Sequence, residues 1–316
     1  MKKKRILLQI IAGFVIIAFI LNKLDINEVI TVLRKTNLFY FILACASYLC
    51  LNLVLAYRLN YLLTKIGYNV KFPQVFLSHM GGMIVGDITP GRGGYFLTPP
   101  ILRKKTGIRI TDGMACIFAP QGVEFILKVG GAFAALLYIS RNADINETIL
   151  ASVSLGAVLL LVVGILMLII SWNDEKLTSK FLHRLPFFNK FTEKLSFFKE
   201  RSIQIKNSIN AILILYLIGW IFAALQWYNL GLSLGITGLS FFAFFLLHPL
   251  ITILMFVPVS PAGLGLMEGG VIAVFLLFGI PAATGLAFSI LVRVSILLVD
   301  LIGLKTILSS VKDLSE

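Results

Sequence analysis

The chain is 316 residues long, with 58% hydrophobic and only 14% charged residues, where a soluble domain carries roughly 45–50% apolar and about 25% charged; that excludes an ordinary soluble enzyme. Lys and Arg total 28 against 15 Asp and Glu, for a net charge of +13, a basic excess that points to nucleic acid, anionic lipid or membrane topology. Nucleic acid is set aside, because the basic residues fall in short clusters between apolar runs of about 20 residues, the length that crosses a bilayer core as helix.

At the start of the chain, a basic stretch at residues 2–5 precedes an apolar run at 6–21. No small-residue cleavage pattern follows before Asn22 and Lys23, so the run reads as an uncleaved first span. Further helical runs long enough to span occur at 38–56, 110–139, 149–170, 208–228 and 282–304. Cys45, Cys50 and Cys116 all lie inside apolar runs, which implies neither a disulfide framework nor a metal cluster. The basic clusters at 2–5, at Arg58, Lys65 and Lys71, at 103–109, within 172–207, and at Lys305 and Lys312 can all be cytoplasmic at once, as cytoplasmic loops retain Lys and Arg. Both termini then lie inside, and Arg92, Lys128 and Arg293 remain at membrane depth. The expected fold is all-α: a polytopic integral membrane protein of six to eight transmembrane helices, one domain over 1–316, in a cell membrane. Within it, residues 172–207 alternate basic residues with Phe181-Leu182, Phe187-Phe188 and Leu195-Phe197-Phe198. That pattern predicts an amphipathic cytoplasmic segment on the anionic inner leaflet, because a solvated loop would expose its aromatics.

Two segments break the pattern. Residues 76–102 are flanked by cytoplasmic clusters on both sides, and each apolar limb is about a dozen residues, or about 18 Å of helix, too short to cross and return. The segment is predicted to be a re-entrant hairpin whose tip, GDITPGRGG at 86–94, is a site candidate, since non-helical backbone at that depth must be buried in protein or line a wet cavity. A second break, PVSPAGLG at 258–265, separates limbs 240–257 and 266–280. These limbs are long enough to cross, yet no charge marks the turn as cytoplasmic, and the favoured reading is a second hairpin entered from outside. Thr89-Pro90-Gly91 matches Ser260-Pro261-Ala262 in kind, with Gly94 opposite Gly265. The match suggests an inverted repeat, a common transporter plan, against the alternative of two coincidental breaks.

Thr89-Pro90 and Ser260-Pro261 each carry the N-cap and first-position signature of a helix start. Half-helices restarting at mid-depth would aim free N–H groups and a positive dipole end at the tips, and Gly91, Gly94, Gly263 and Gly265 would admit a ligand closely. Arg92 adds a full charge, which makes the tips a candidate anion site with phosphate as the natural anion. Simple kinks would explain the glycines but not an arginine at that depth. Asp87, Glu124, Glu268 and Asp300 also fall at membrane depth, either as functional groups or as mutually satisfied pairs. Gln121, Glu124 and Lys128 share a helix face, with Glu124 and Lys128 in the favourable i, i+4 order. Arg293 and Asp300, seven apart, share a stripe of the last span. His79 and His248 read as hydrogen-bonded packing histidines before proton relays. The glycine pairs Gly82/Gly86 and Gly265/Gly269 are expected to pack within the protein. The sequon at Asn146 abuts a span and is read as unused. GLGLMEG at 263–269 has the wrong spacing for a dinucleotide fingerprint, and neither a nucleophile elbow, a metal-ligand spacing nor a P-loop is found; no cofactor is expected.

TPGRGG at 89–94, LRKKTG at 102–107 and SPAGLGLMEGG at 260–270 together resemble the flippase-like membrane region of lysylphosphatidylglycerol synthases, which also occurs as stand-alone proteins in bacteria and archaea. The resemblance covers nearly the whole chain, and the motif with Glu268 is the more specific. Tyr95 and Thr98 stand where members often carry Glu and a basic residue; Pro120 and Gln121 replace a frequent Glu-Arg pair, with Glu124 kept nearby. The resemblance implies translocation of a phospholipid, or another lipid with a phosphate-containing headgroup, between leaflets. It does not extend to aminoacyl transfer, which belongs to a separate soluble domain. In the leading expectation Arg92, the half-helix N-termini and Arg293 hold the phosphate, while Glu124, Glu268 or Asp300 contact a cationic or hydroxylated part of the headgroup. The alternatives are a secondary transporter of a small solute or ion, a non-transporting subunit that docks a membrane enzyme through 172–207, and, third, a lipid-modifying enzyme, for which no nucleophile with an adjacent base is seen.

Overall fold

A computed structural model describes residues 11, 13, 15–22, 24–142, 147–173, 192–257 and 259–315. They contain no strand and twelve bounded α-helices: α1 Ile26–Arg34, α2 Leu38–Lys65, α3 Phe72–Asp87, α4 Thr98–Thr106, α5 Ile110–Asn142, α6 Glu147–Trp172, α7 Thr192–Lys206, α8 Ile209–Ser233, α9 Phe241–Thr252, α10 Leu266–Leu277, α11 Ala282–Asp300 and α12 Leu304–Ser315. Five stretches are long and apolar enough to cross a membrane, Leu38–Lys65, Ile110–Arg141, Ser154–Trp172, Ile209–Ser233 and Ala282–Ser309. They match five of the six predicted spans; of the sixth, at 6–21, residues 6–10, 12 and 14 lie outside the described residues. The fold is an all-α polytopic membrane protein.

The helices start where side chains replace missing backbone partners. The Asn37 side chain accepts from Phe39 N at 3.0 Å ahead of α2, and Ser240 Oγ accepts from Ala243 N at 3.2 Å ahead of α9, which satisfies N–H groups the first turn would otherwise leave unpaired. Helix α2 does not stop at the first charge after its apolar run but continues to Lys65, and so carries Arg58 inside the bundle instead of on the cytoplasmic surface.

Both breaks are helix–turn–helix hairpins. In the first, α3 descends for 16 residues, about 24 Å at about 1.5 Å per residue, and returns through a 3-10 turn, Gly93–Leu97, into α4. In the second, the apolar helical stretches are Phe241–Phe256 and Leu266–Leu277. The lengths of about 24 and 18 Å fall short of the roughly 30 Å hydrocarbon core. The expectation that these limbs are long enough to cross is therefore corrected, and the hairpin reading is strengthened.

The two tips touch. Ala262 N donates to Thr89 O at 3.1 Å, and Pro90 and Pro261 form an isolated antiparallel bridge. Each tip has two successive left-handed residues in matching register: Gly91 at φ 60° and Arg92 at 55°, Ala262 at 41° and Gly263 at 65°. Two such residues cannot continue into a right-handed helix, which corrects the expectation that Thr89 and Ser260 cap helices. The restarts come later, at Gly93 and at Leu266. Thr89 Oγ1 instead accepts from Gly94 N at 2.7 Å and donates to Val85 O at 3.0 Å, while Ser260 Oγ donates to Leu264 O at 2.8 Å. Gly82 and Gly86 pack against the returning limb and Gly265 against Ile16, so these glycines serve close approach inside the protein.

Helix α7 is the described part of the basic segment, whose residues 174–191 lie outside the described set. It does not lie flat on lipid by all its apolar residues: Lys199, Ser202 and Ile205 are buried, and the Phe198 ring meets Phe118 of α5 at 5.8 Å. Phe197 and Ile203, on the other face, stay exposed. The dock is fastened by Asp112, fully buried, which receives hydrogen bonds from Tyr68 Oη at 2.5 Å and Arg109 Nε at 3.0 Å and pairs with Arg201 of α7 at 3.8 Å. Burial, with the Asp112 bond second, holds the Tyr68 phenol above its ordinary range, so it remains a donor.

Two predictions follow from the packing. Asp112→Ala removes three partners of one carboxylate; at about 1.5–3 kcal/mol per charged hydrogen bond, less for the solvated arginines, it should lower the thermal midpoint of the detergent-solubilised protein and detach α7, read as faster alkylation of a cysteine placed at Phe198. An unchanged midpoint and alkylation rate would contradict the dock. Gly94→Ala would place a Cβ 2.4 Å from Val85 O and 2.7 Å from Thr89 Oγ1, both fixed parts of the tip. A loss of about 1–3 kcal/mol should appear as a lowered unfolding midpoint, whereas Gly93→Ala, with open space around its Cβ, should be neutral.

Candidate functional site

Beside the joined tips lies a cavity of about 150 Å³. Its apolar walls come largely from α2, α5 and α8, among them Leu51, Leu55, Phe125, Trp220 and Trp227. The polar and charged residues that also line it are Tyr48, Arg58, Arg92, Tyr95, Gln121, Glu124, Lys128, Tyr216, Gln226, His248 and Thr252. An apolar hollow with a small set of oriented polar groups is the usual form of a ligand site.

Each charge has a structural origin. Arg92 sits at the first tip in a left-handed conformation and turns back to pair with Asp87, the last residue of α3. Lys128 Nζ pairs with Glu124 Oε1 at 3.3 Å and reaches Thr252 Oγ1 at 3.4 Å, while Gln121 Nε2 donates to Glu124 Oε2 at 3.0 Å; the shared face predicted for these three is present. Arg58 differs. It is buried on α2, its guanidinium lies 4.2 Å from the Tyr216 ring centroid, and Nε and Nη1 have no hydrogen-bond partner. Among the described residues no carboxylate pairs with it.

The predicted site residues separate into three groups. Gly91, Arg92, Gln121 and Glu124 line the cavity. Thr89, Pro90, Gly94, Ser260, Gly263 and Gly265 build the junction of the tips, and four of their N–H groups are used internally: Thr89 on Gly86 O at 3.1 Å, Gly94 on Thr89 Oγ1, Gly263 on Ser260 O at 3.3 Å, Gly265 on Glu268 Oε2 at 2.7 Å. Those N–H groups are therefore not free for an anion. Glu268, Arg293 and Asp300 stand apart from the cavity lining. Glu268 reaches back to its own helix start and is clasped by Arg293, whose Nη2 donates to Oε2 at 3.2 Å and to Ala262 O at 3.5 Å. This is the half of a capping box in which the N3 glutamate bonds the N-cap N–H, with an arginine clamped over it, and Arg293 is accordingly committed to the second tip. Asp300 is fully buried at the end of α11 and accepts from Tyr48 Oη at 3.2 Å; its shared stripe with Arg293 does not become a shared partner.

Sequence reasoning missed Arg58, which it counted as a loop cation because the apolar run ends at Ala56. Helical phase was the available signal: the buried positions Tyr48, Asn52, Ala56, Leu59 and Leu63 continue one stripe past that arginine. Lys128 was seen at depth but left out of the site. His79 is a packing histidine as expected, with Nε2 3.0 Å from Asn52 Oδ1 and Nδ1 3.3 Å from Tyr95 Oη. His248 faces the cavity edge-on to Trp227, ring centroids 5.1 Å apart. No group of three or more His, Cys, Asp or Glu side chains fit for a metal occurs among the described residues.

Comparison with known proteins places this architecture. A UPF0104 membrane protein of Pyrococcus horikoshii is 24% identical over 309 residues, covering 90% of this chain and 91% of its own. A UPF0104 membrane protein of Methanocaldococcus jannaschii is 26% identical over 215 residues, 67% of this chain and 87% of the relative. A third, from Methanothermobacter thermautotrophicus, is 25% identical over 218 residues, and the matched part spans 63% of that relative's length. The family model described as the lysylphosphatidylglycerol synthase TM region matches residues 6–303. With that match running through both hairpins and every long helix, the chain belongs to the family of the lysylphosphatidylglycerol synthase transmembrane region.

Proposed function

We propose that the protein translocates a phospholipid, or another lipid with a phosphate-containing headgroup, between the leaflets of the cell membrane, and that the cavity beside the tips holds the headgroup. The observation that carries the reading is Arg58. A buried guanidinium without a counter-charge costs several kcal/mol, and cation–π contact with Tyr216, worth about 2 kcal/mol, offsets part of that. The unpartnered N–H groups on Nε and Nη1 lie on two edges of the guanidinium, so each can supply a separate charged hydrogen bond to a phosphate oxygen. Arg92 and Lys128 flank the position with charges already half-neutralised by Asp87 and Glu124. They can lend positive potential without presenting three bare cations, and Glu124 and Gln121 supply acceptor and donor capacity for a hydroxylated or cationic headgroup. The Leu, Phe and Trp walls suit the glycerol and upper acyl segments, and tails left in the bilayer spare the cost of moving hydrocarbon through water.

The family assignment agrees, since the family is that of a phospholipid synthase's membrane region. In this reading the cytoplasmic side carries both termini and the α4–α5 and α7 basic residues, and the exposed Phe197 face of α7 rests on the anionic inner leaflet. The chain's own chemistry is binding and passage, with no bond made or broken.

The test is leaflet exchange of acyl-labelled phosphatidylglycerol in vesicles that contain the purified protein, with entrapped inorganic phosphate followed in parallel. Wild type should accelerate lipid exchange and leave phosphate where it is. Arg58→Gln, which forfeits about 1.5–3 kcal/mol of charged hydrogen bonding, should slow exchange about ten- to a hundredfold without lowering the unfolding midpoint, because it also removes a buried charge. Phosphate movement without lipid exchange would replace the reading with a solute transporter, and wild-type exchange no faster than in protein-free vesicles, for phosphatidylglycerol and polyprenyl phosphate alike, would end it.

A further inference from the structure

The cavity beside the tips offers hydrogen-bond donors and lacks open acceptors. Among the described residues that line it, Arg58 and Tyr216 are the ones whose buried polar atoms have no hydrogen-bond partner: Arg58 Nε and Nη1, and Tyr216 Oη. The guanidinium lies 4.2 Å from the Tyr216 ring centroid, so these atoms form one patch between α2 and α8. The arginine nitrogens only donate, and the phenol donates as well as accepts. The other two lining phenols are engaged: Tyr48 Oη donates to Asp300 Oδ2 at 3.2 Å, and Tyr95 Oη lies 3.3 Å from His79 Nδ1.

Carboxylates are the reverse case. Glu124 is the one carboxylate among the described lining residues, and both of its oxygens are held, Oε1 by Lys128 Nζ at 3.3 Å and Oε2 by Gln121 Nε2 at 3.0 Å. Lys128 is itself fixed in place, 3.4 Å from Thr252 Oγ1 and 5.4 Å over the Phe256 ring. The other carboxyl groups at this depth are outside the lining, Asp87 on Arg92, Glu268 on Arg293 and Asp300 on Tyr48. With Arg92 matched by Asp87 and Lys128 by Glu124, the charge left uncompensated on the lining is the positive charge of Arg58. An entering ammonium group would meet like charge and a carboxylate already occupied, an arrangement that excludes a ligand as effectively as a clash.

We infer that the cavity selects an anionic phosphate headgroup that carries no ammonium group, and that the Lys128–Glu124 pair sets this selection. One phosphate charge answers Arg58, and Tyr216 Oη supplies a further donor beside it. A glycerol phosphodiester and a polyprenyl phosphate share this chemistry, whereas a zwitterionic or cationic headgroup brings an ammonium that the lining cannot neutralise. The inference rests on the lipid-exchange reading and narrows its headgroup to an anionic one.

The test compares four acyl- or prenyl-labelled lipids in vesicles that contain the full-length protein: phosphatidylglycerol, a polyprenyl phosphate, phosphatidylethanolamine and the lysyl ester of phosphatidylglycerol. Exchange of at least one of the first two should exceed that of the last two by about ten- to a hundredfold, as expected for an uncompensated like charge. Faster movement of either phosphate lipid supports the inference and identifies the tail. Lys128→Gln opens Glu124 Oε1 to an ammonium and should raise the ratio of phosphatidylethanolamine to phosphatidylglycerol exchange about tenfold, the gain of one charged hydrogen bond. Glu124→Gln removes the carboxylate and should not raise that ratio. A pair with a structural role alone would lower both rates together and leave the ratio unchanged in both variants, which overturns its part in selection, as does a raised ratio in Glu124→Gln. Wild-type exchange of phosphatidylethanolamine or the lysyl ester as fast as both phosphate lipids overturns the selectivity and leaves the lipid-exchange reading standing. No exchange of any of the four overturns that reading and the selectivity with it.

Discussion

Backbone that abandons helical form at membrane depth has to satisfy its own polar groups, because nothing in hydrocarbon will. Here two interrupted helices do this for one another. Ala262 N donates to Thr89 O across the junction, the turn hydroxyls of Thr89 and Ser260 take up N–H and C=O groups within each tip, and each tip is held by its own ion pair, Arg92 with Asp87 and Arg293 with Glu268. Breaking such a buried pair by removing one partner costs about 3–5 kcal/mol. The tips are therefore fixed points, and the cavity beside them has a defined wall.

That constraint sorts the intramembrane charges. Among the described residues at that depth, three cations are matched with three carboxylates: Arg92 with Asp87, Lys128 with Glu124, Arg293 with Glu268. Two groups are left over, and they have opposite sign. Arg58 faces the cavity without a counter-charge, and Asp300 is fully buried with one oxygen on Tyr48 Oη and the other without a partner. In the proposed reading the first is the place for an anion.

Much of the architecture was legible in the sequence because hydropathy and the distribution of Lys and Arg report directly on burial and sidedness. The spans at 38–56, 110–139, 149–170, 208–228 and 282–304 and the two interruptions all have counterparts in the fold. The match between Thr89-Pro90-Gly91 and Ser260-Pro261-Ala262 became a match of backbone, left-handed at equivalent positions. What failed did so for identifiable reasons. A hydroxyl residue before proline is shared by helix starts and by tight turns, and the two left-handed residues that decide for the turn include Arg92 and Ala262, types that rarely adopt that conformation. The free N–H groups assigned to the tips were spent on side chains that spacing alone does not place, such as Glu268 folding back onto Gly265. Arg58 was lost because a charge at the edge of an apolar run looks like the end of a span, whereas α2 continues to Lys65 and packs that charge inside.

The central claim is that the cavity beside the joined tips receives a phosphate headgroup at Arg58. A cryo-electron microscopy map of the protein in nanodiscs of phosphatidylglycerol tests it most directly. The account predicts a lipid with its phosphate density against the Arg58 guanidinium and its tails leading out between helices into the bilayer. Acyl-chain density against Arg58, or a cavity closed by a carboxylate side chain paired with that arginine, would contradict it.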